Sequence, residues 1–485
     1  MPECRKRTGQ IQFYITERGM VRSVQDIVDD NPDLVNYFKY QTGGYASASL
    51  IDILRPFIPA EFTNWREEQR AWHEAAVMFD QSHHMSVTYI KGPDAKAMLN
   101  YLSPSTFSNL STDRGKQYFV ANPDGKHIGD CVLHYYGDDE GFELISGNPL
   151  QSWVRYHCQT GEYNVEARHD PSSPLGKGHR RTKYRFQLEG PNARQILDDV
   201  CVGGMPELQF FRTAFVTIAG CRVHILRHGM AGHTGAEISG PWDEMDTVRD
   251  AILKAGEKLG LRRGGTWAYY SATLENGWIP TPFPAIYTSD AMKAYREWLP
   301  AASLEGQMHV AGSYYGEQIE DYYWDAWSLG YDKFVKFDHD FIGRAALEKM
   351  KPQPHRVKRL LVWNEDDVMK VMASQFGDGP IYKAIDMPLA FYGLPQADDV
   401  RSTDGRHVGV SQWCGYTVNE HRMMSLCGID EASAAPGTEV VITWGERNGG
   451  APNRQTERHE QTTIRATVAL TPADALSQGR VRATL

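Results

Sequence analysis

Three times along the chain an apolar, strand-like run ends in Gly-Pro and passes into a helix-like pattern: Ile90-Lys91-Gly92-Pro93, Leu188-Glu189-Gly190-Pro191 and Ile238-Ser239-Gly240-Pro241. Glycine releases the chain from the strand, and proline in the first helical turn gives up no N–H that the helix needs. Asp94, Asn192 or Asp243 is placed to satisfy the exposed donors. Apolar residues then recur at helical spacing: Ala95, Met98, Leu99 and Leu102; Ala193, Ile196 and Leu197; Val248, Ala251 and Ile252. Between these modules lie hairpin signals, over 118–145 with turns at Asn122-Pro123-Asp124-Gly125 and 137–141, and over 214–226 around Ala219-Gly220. Upstream, the pattern predicts a long amphipathic helix opened by Asn64, with Glu67 three residues on, and Trp65, Trp72, Ala75, Ala76 and Phe79 along one side. After the connector Lys351-Pro352-Gln353-Pro354-His355 the chain becomes strand-rich (360–363, 407–411, 439–444, 463–470) with few helical patterns. The expected fold is an α+β body of mostly antiparallel sheets followed by a small C-terminal β-barrel or sandwich.

The chain has 485 residues, 41% of them apolar and 23% charged, which excludes a disordered or fibrous protein and favours about three domains or one large body with an appendage. With 51 Lys and Arg against 61 Asp and Glu, the net charge of -10 argues against nucleic acid as a partner. No apolar run reaches membrane-span length. The basic start Cys4-Arg5-Lys6-Arg7 leads into Gly-Gln-Ile-Gln and not an apolar signal core, so a cytoplasmic protein is expected. Seven scattered cysteines without a Cys-x-x-Cys pair read as reduced and structural. His224, His228 and His233 bracket a Gly-rich segment instead of lying at i, i+4 on a helix, so no metal centre is expected.

No phosphate-cradling glycine loop, nucleophile elbow, His-Glu-x-x-His or cysteine zinc pattern occurs. The unusual feature is a polar run read as leaving the apolar helix, Phe79-Asp80-Gln81-Ser82-His83-His84-Met85, just before the strand of the first module. Polar side chains at such a corner converge on a pocket, or place one histidine at the surface and one against the core.

Phe79-Asp80-x-Ser82-His83 with Gly92-Pro93-Asp94-Ala95 resembles the N-terminal signature of the aminomethyltransferase (glycine-cleavage T-protein) family. Further matches follow in the family's order: Phe186-Gln187-Leu188-Glu189-Gly190-Pro191, Gly235-Ala236-Glu237-Ile238, Leu274-Glu275-Asn276-Gly277-Trp278 and Phe341-Ile342-Gly343-Arg344-Ala345-Ala346-Leu347. Within the family the chain is most similar to the tetrahydrofolate-dependent O-demethylases of lignin-derived methoxybenzoates such as vanillate and syringate. Shared stretches include Phe62-Thr63-Asn64-Trp65-Arg66, Leu226-Arg227-His228-Gly229-Met230-Ala231-Gly232 and Ala294-Tyr295-Arg296-Glu297-Trp298-Leu299-Pro300. The resemblance implies an N-terminal extension over 1–60, a folate-binding catalytic body over 61–350 made of two similar α+β subdomains meeting near 180, and a C-terminal β-barrel over 351–485.

It also implies tetrahydrofolate as cofactor and a small aromatic methoxy compound as substrate. Removing methyl from an aryl ether needs an in-line nucleophile, which the family supplies as N5 of tetrahydrofolate, and a proton for the departing phenoxide. Glu237 is then the pterin anchor, a carboxylate accepting two hydrogen bonds from the amino-pyrimidine edge, with Gln187 adding an amide contact and Trp278 an aromatic wall. Gln81 and His84 match positions on the phenolic side, and Tyr269 matches the family's active-site tyrosine; either Tyr269 or His84 is the proton donor. Vanillate-type enzymes carry an arginine for the substrate carboxylate where this chain reads Ser146-Gly147-Asn148, so either Arg55 takes over that role or the substrate has no carboxylate. Gly129-Asp130 replaces an Asp-Asp pair of the glycine-cleavage enzymes, which weighs against aminomethyl transfer. Lys336-Phe337-Asp338-His339 lacks the cysteine of the folate-binding scaffold relatives, and His339 reads as structural. The basic run 179–183 and Arg262-Arg263 are either solvated faces or attractors of the folate glutamate tail.

Overall fold

The computed structural model describes residues 22–40, 53–450 apart from 177 and 232, and 456–471. Two short helices, α1 (Val24–Asp30) and α2 (Leu34–Tyr40), belong to the stretch that sequence alone does not place. They pack into the body: Val24 and Phe38 are fully buried in the largest apolar cluster, Phe38 edge-on to Phe283 at 5.2 Å.

The amphipathic helix is shorter than its pattern. Helix α3 (Trp65–Glu74), capped by the Asn64 side chain on the Glu67 amide at 3.1 Å, gives way at Ala75 to strand β1 (Ala76–Asp80). Ala76, Val77, Met78 and Phe79 are all buried, which a helix in this place, with one solvated face, would not allow; β1 runs between two other strands and is covered on both sides. The polar run 81–85 is thus a strand-to-strand link, not the end of a helix.

Strand β2 (Ser86–Lys91) leads into α4 (Ala95–Tyr101), and the hairpins follow as β3 (Lys116–Ala121), β4 (His127–Tyr135) and β5 (Phe142–Ser146). After α5 (Asn148–Thr160) and β6 (Glu166–Asp170), these strands form a five-stranded antiparallel sheet ordered β3-β4-β5-β2-β6. The second sheet comprises β7 (Lys183–Glu189), β8 (Thr213–Ile218), β9 (Cys221–Arg227), β10 (Gly235–Pro241) and β11 (Leu261–Gly264), joined by β1 in the order β11-β1-β7-β10-β9-β8; α6 (Ala193–Val200) and α7 (Met245–Gly256) pack on it. Helix α8 (Thr266–Asn276) then leads through α9 (Lys293–Trp298) and α10 (Arg344–Met350) to the barrel. Strands β12 (Arg356–Trp363), β13 (Asp398–Ser402), β14 (His407–Thr417), β15 (Arg422–Asp430), β16 (Glu439–Trp444) and β17 (Thr462–Ala469) close it in the order β12-β15-β14-β13-β16-β17, with α11 (Glu365–Ala373) inserted after β12.

Two of the three Gly-Pro modules are near-copies. Gly92 after β2 and Gly190 after β7 have φ of +124° and +123°, and a Cβ on either would stand 2.6 or 2.7 Å from a backbone carbonyl oxygen, that of Asn164 or Ala75. The third module starts with a 3-10 turn, Trp242–Glu244, before α7. The expected side-chain caps are absent: Asp94 accepts from the Asn164 amide at 2.7 Å, Asn192 donates to the Leu259 carbonyl at 2.9 Å, and Asp243 pairs with Arg180. These turns hold through glycine geometry and cross-links instead of capping. Gly190→Ala is therefore expected to destabilise the protein by about 2 kcal/mol or more, since that φ is strained for any residue with a Cβ; a denaturant midpoint equal to wild type would contradict this.

Candidate functional site

A cavity of about 710 Å³ opens where the two sheets, α8 and the first barrel strand meet, a size within the range of about 300–1,000 Å³ typical of small-molecule sites. Register decides what faces it. In the second sheet Glu237 pairs with Gln187, and Gln187 with Phe79, so these side chains share one face with Arg185 two residues along. In the first sheet Asp130 and, across from Val132, Ile145 share the face that carries Glu143. The two faces are tied by ions: Arg185 donates to Glu143 at 3.0 Å and closely to Glu237, Lys183 reaches Glu143 at 2.6 Å, and the Tyr136 hydroxyl donates to Glu143 at 2.8 Å. Burial works against the Glu143 charge, but Lys183 and Arg185 outweigh it and hold its carboxyl well below the usual range. Burial raises the Glu237 carboxyl above its ordinary value, with Arg185 drawing it back.

The link 81–85 delivers two of the expected residues. Ser82 pins it to β7, its Oγ donating to the Arg185 carbonyl at 3.2 Å and accepting from the Arg185 amide at 2.9 Å, and the Gln81 amide donates to the same carbonyl at 2.8 Å. The Arg181 guanidinium fixes the far end on the Met85 carbonyl at 2.8 Å. Gln81 and His84 line the cavity, whereas His83 turns to a surface cleft, bonded to Ser173 at 2.9 Å and stacked on Phe57. One histidine faces out and one in, which separates the two readings of the pair.

Tyr269 comes from the first turn of α8. Its start is set by Glu68 of α3, whose carboxylate accepts from the amides of Gly265 (2.8 Å), Phe62 (2.6 Å) and Thr63 (2.9 Å). The Tyr269 hydroxyl lies 2.9 Å from His84 Nε2, receives Gln81 Nε2 at 3.4 Å, and points its own proton at the Met230 sulfur 3.9 Å away. Burial depresses the His84 pKa to about 3, helped by the Arg181, His83 and Arg185 charges, so the imidazole is neutral at working pH. Burial also raises the Tyr269 pKa, keeping the phenol protonated. This is a neutral hydrogen-bond cluster on the cavity wall.

On the opposite side, Trp278 lines the cavity and donates from Nε1 to the Tyr331 hydroxyl at 3.0 Å, which in turn donates to Asp130 Oδ2 at 3.0 Å; Gln117 Nε2 donates to the same oxygen at 2.9 Å. Asp130, Tyr331, His228 and Met230 are cavity residues that sequence reasoning did not single out as a site. The signal for Asp130 was its place in the hairpin that holds two acids in the glycine-cleavage enzymes. Gln187 lies behind the wall, its Nε2 spent on the His228 carbonyl at 2.9 Å and its Oε1 buried without a partner.

Arg55, expected as the cation for a substrate carboxylate, stands apart from the cavity. It is exposed and outside the cavity lining, where the positions just before it, Ile53 and Leu54, take part instead: the short helical turn at 53–54 directs apolar side chains inward and turns the following residue out. The basic run 179–183 is also spent elsewhere, Arg181 on the Pro171 and Met85 carbonyls and Lys183 on Glu143. Arg263 lies over the Phe62 ring. His339 bonds the Ser103 carbonyl at 2.9 Å, a joint between segments away from the cavity.

The residues suit a reduced pterin next to a second ring. Glu237 offers the cavity a carboxylate with one oxygen engaged by Arg185 and no second partner for the other among the described residues. Gln81 Oε1 and His228 Nδ1, both on lining residues, are buried polar atoms with no partner among the described residues, so each can take a hydrogen bond from water or a ligand. Among the described residues no helix is long and apolar enough to cross a membrane.

Residues 40–282 match the family model of the GCVT N-terminal domain, and the chain belongs to this glycine-cleavage T-protein family. Within it, the chain is 42% identical over 459 residues to a syringate O-demethylase of Sphingobium sp. (strain NBRC 103272 / SYK-6), covering 95% of this chain and 97% of that one. It is 28% identical to a sesamin methylene transferase of Sinomonas sp. (strain No.22), over 82% of this chain and 88% of the relative. The fold is that of the glycine cleavage system aminomethyltransferase T from Bartonella henselae, with a TM-score of 0.57 at 16% identity over 91% of this chain and 96% of that one.

Proposed function

We propose that the protein is a tetrahydrofolate-dependent O-demethylase, taking the methyl group from a methoxybenzoate of the vanillate or syringate kind and leaving the corresponding phenol. The observation that carries this reading is the Tyr269 hydroxyl, held by His84 and Gln81 in the same cavity as the Glu237 carboxylate. Bound tetrahydrofolate supplies a nucleophilic nitrogen able to accept a methyl group. The chain's own work is to orient and to protonate. Glu237 fixes the pterin edge, Trp278 walls the ring, and burial of both reactants in one cavity replaces the entropy of their encounter. The tyrosine oxygen has two lone pairs and one proton. With Gln81 Nε2 and the Nε2–H tautomer of His84 filling the lone pairs, the proton is directed outward, where it now meets only the weakly accepting Met230 sulfur. An ether oxygen on the substrate takes the place of that sulfur, and as the C–O bond breaks the phenoxide receives the Tyr269 proton. Gln81 and His84 stabilise the charge left on the tyrosine until a proton returns to it through solvent, balanced by the one that a secondary amine would give up on gaining the methyl group.

The test is direct. Purified protein with tetrahydrofolate is offered vanillate, syringate, isovanillate, guaiacol, vanillin, or glycine with a lipoyl carrier. The expected products are 5-methyl-tetrahydrofolate and the matching phenol from one or more of the methoxyarenes. Methylene-tetrahydrofolate and ammonia from the glycine system alone would replace this reading with aminomethyl transfer.

A further inference from the structure

The buried lysines and arginines of the described residues each donate to an oxygen of the protein: Lys39, Arg181, Arg185, Arg227, Arg296 and Lys383. Lys358, half-buried on the cavity wall, does not follow this pattern. It extends from barrel strand β12 to the cavity wall, with Cε 3.4 Å from where a Cβ on Gly330 would stand, and its ammonium has no hydrogen bond or ion pair among the described residues. Burial lowers its pKa to about 8, with Lys333 adding to the fall and Asp130 opposing it. A cation largely withdrawn from water, with no partner among the described residues, is costly to a folded protein unless a ligand supplies the counter-charge. The surroundings are also cationic, since Arg114, Lys116 and Lys333 line the same cavity.

We infer that the cavity contains a carboxylate-binding site whose anchor is the Lys358 ammonium. The inference rests on the reading of the cavity under Proposed function, where both ligands are acids. The carboxylate belongs either to the arene or to the glutamyl end of the folate, and the chemistry of recognition is the same: a compact point charge on a flexible stem pairs with either anion.

Equilibrium titration separates the two sources without requiring turnover. Wild type, Lys358→Met and Lys358→Arg are titrated with tetrahydrofolate and with 6-methyl-tetrahydropterin, which has no glutamate, and with syringate and with 2,6-dimethoxyphenol, which has no carboxylate. Lys358→Met is expected to weaken at least one acid tenfold or more, leaving its carboxylate-free counterpart within threefold, and Lys358→Arg to restore most of the loss. Loss confined to tetrahydrofolate assigns the glutamyl carboxylate, and loss confined to syringate assigns the aryl carboxylate. Unchanged affinity for both acids, or equal loss for acid and neutral ligand, overturns the inference. A wild-type protein that binds these ligands yet forms no demethylated product would sink the O-demethylase reading and leave this one standing.

Discussion

Tyr269→Phe lowers kcat by about a hundredfold or more, the usual worth of a positioned proton donor, with KM for the methoxyarene and affinity for tetrahydrofolate within about threefold of wild type. The substitution removes one oxygen from a half-buried cluster on the cavity wall and leaves the ring on its Phe79 and Tyr270 neighbours, at 5.4 and 5.2 Å, so packing is preserved. What is lost is the proton offered to the phenoxide. Charge favours Tyr269 over His84 as the donor: burial lowers the His84 pKa to about 3, and a neutral imidazole gives up its N–H far less readily than a phenol gives up its O–H. The same fact sets the pH profile. A group neutral in the folded enzyme at all pH above about 3 gives kcat no limb near the ordinary histidine value of about 6.5. Single-turnover rates of wild type and Tyr269→Phe between pH 5.5 and 8.5 check both statements. A phenylalanine variant within fivefold of wild type, or a wild-type limb near 6.5 abolished by His84→Gln, would move the proton to His84.

Much of this geometry was legible because it depends on short-range chemistry. The hairpins at 116–146 and 213–227 announce themselves through alternation and turn residues, and Gly92 and Gly190 through backbone shapes that a Cβ forbids. The Phe79 region misled because five consecutive apolar or small residues satisfy a helical stripe and a doubly buried strand equally well; only the partners β7 and β11, more than 100 residues away, decide between them. The site shows the same divide. Glu237, Tyr269, His84 and Gln81 were found through motif resemblance, and they do line one cavity. Arg185 and Glu68 were not, because a buried ion pair and a carboxylate collecting three amides have no local signature. Each is defined by what lies across space. Arg55 stands outside the lining for the complementary reason: its charge suits a carboxylate, but the direction of one side chain relative to the next is settled by packing.

Glu237→Ala is expected to raise the dissociation constant for tetrahydrofolate at least thirtyfold, about 2 kcal/mol, corresponding to loss of one or two charge-assisted hydrogen bonds. A structural explanation of such a loss has to be separated from a binding one, because Glu237 also contacts Arg185. Removing one partner of a buried ion pair costs about 3–5 kcal/mol when it strands the other charge, but Arg185 is not stranded: Glu143 remains at 3.0 Å and is itself neutralised by Lys183 at 2.6 Å. The unfolding free energy of the variant is therefore expected to fall by less than that figure. Glu237→Gln sharpens the distinction, since the amide keeps the volume and one acceptor oxygen but places an NH2 group where the pterin edge presents donors. Its affinity should be closer to that of the alanine variant than to wild type. Arg185→Met, which leaves two carboxylates buried together with only Lys183 between them and the solvent, should instead lose stability first and folate affinity as a consequence. If Glu237→Gln binds tetrahydrofolate as tightly as wild type, or if both Glu237 variants lose stability to the same extent as Arg185→Met, the carboxylate serves the seam between the sheets and not the ligand.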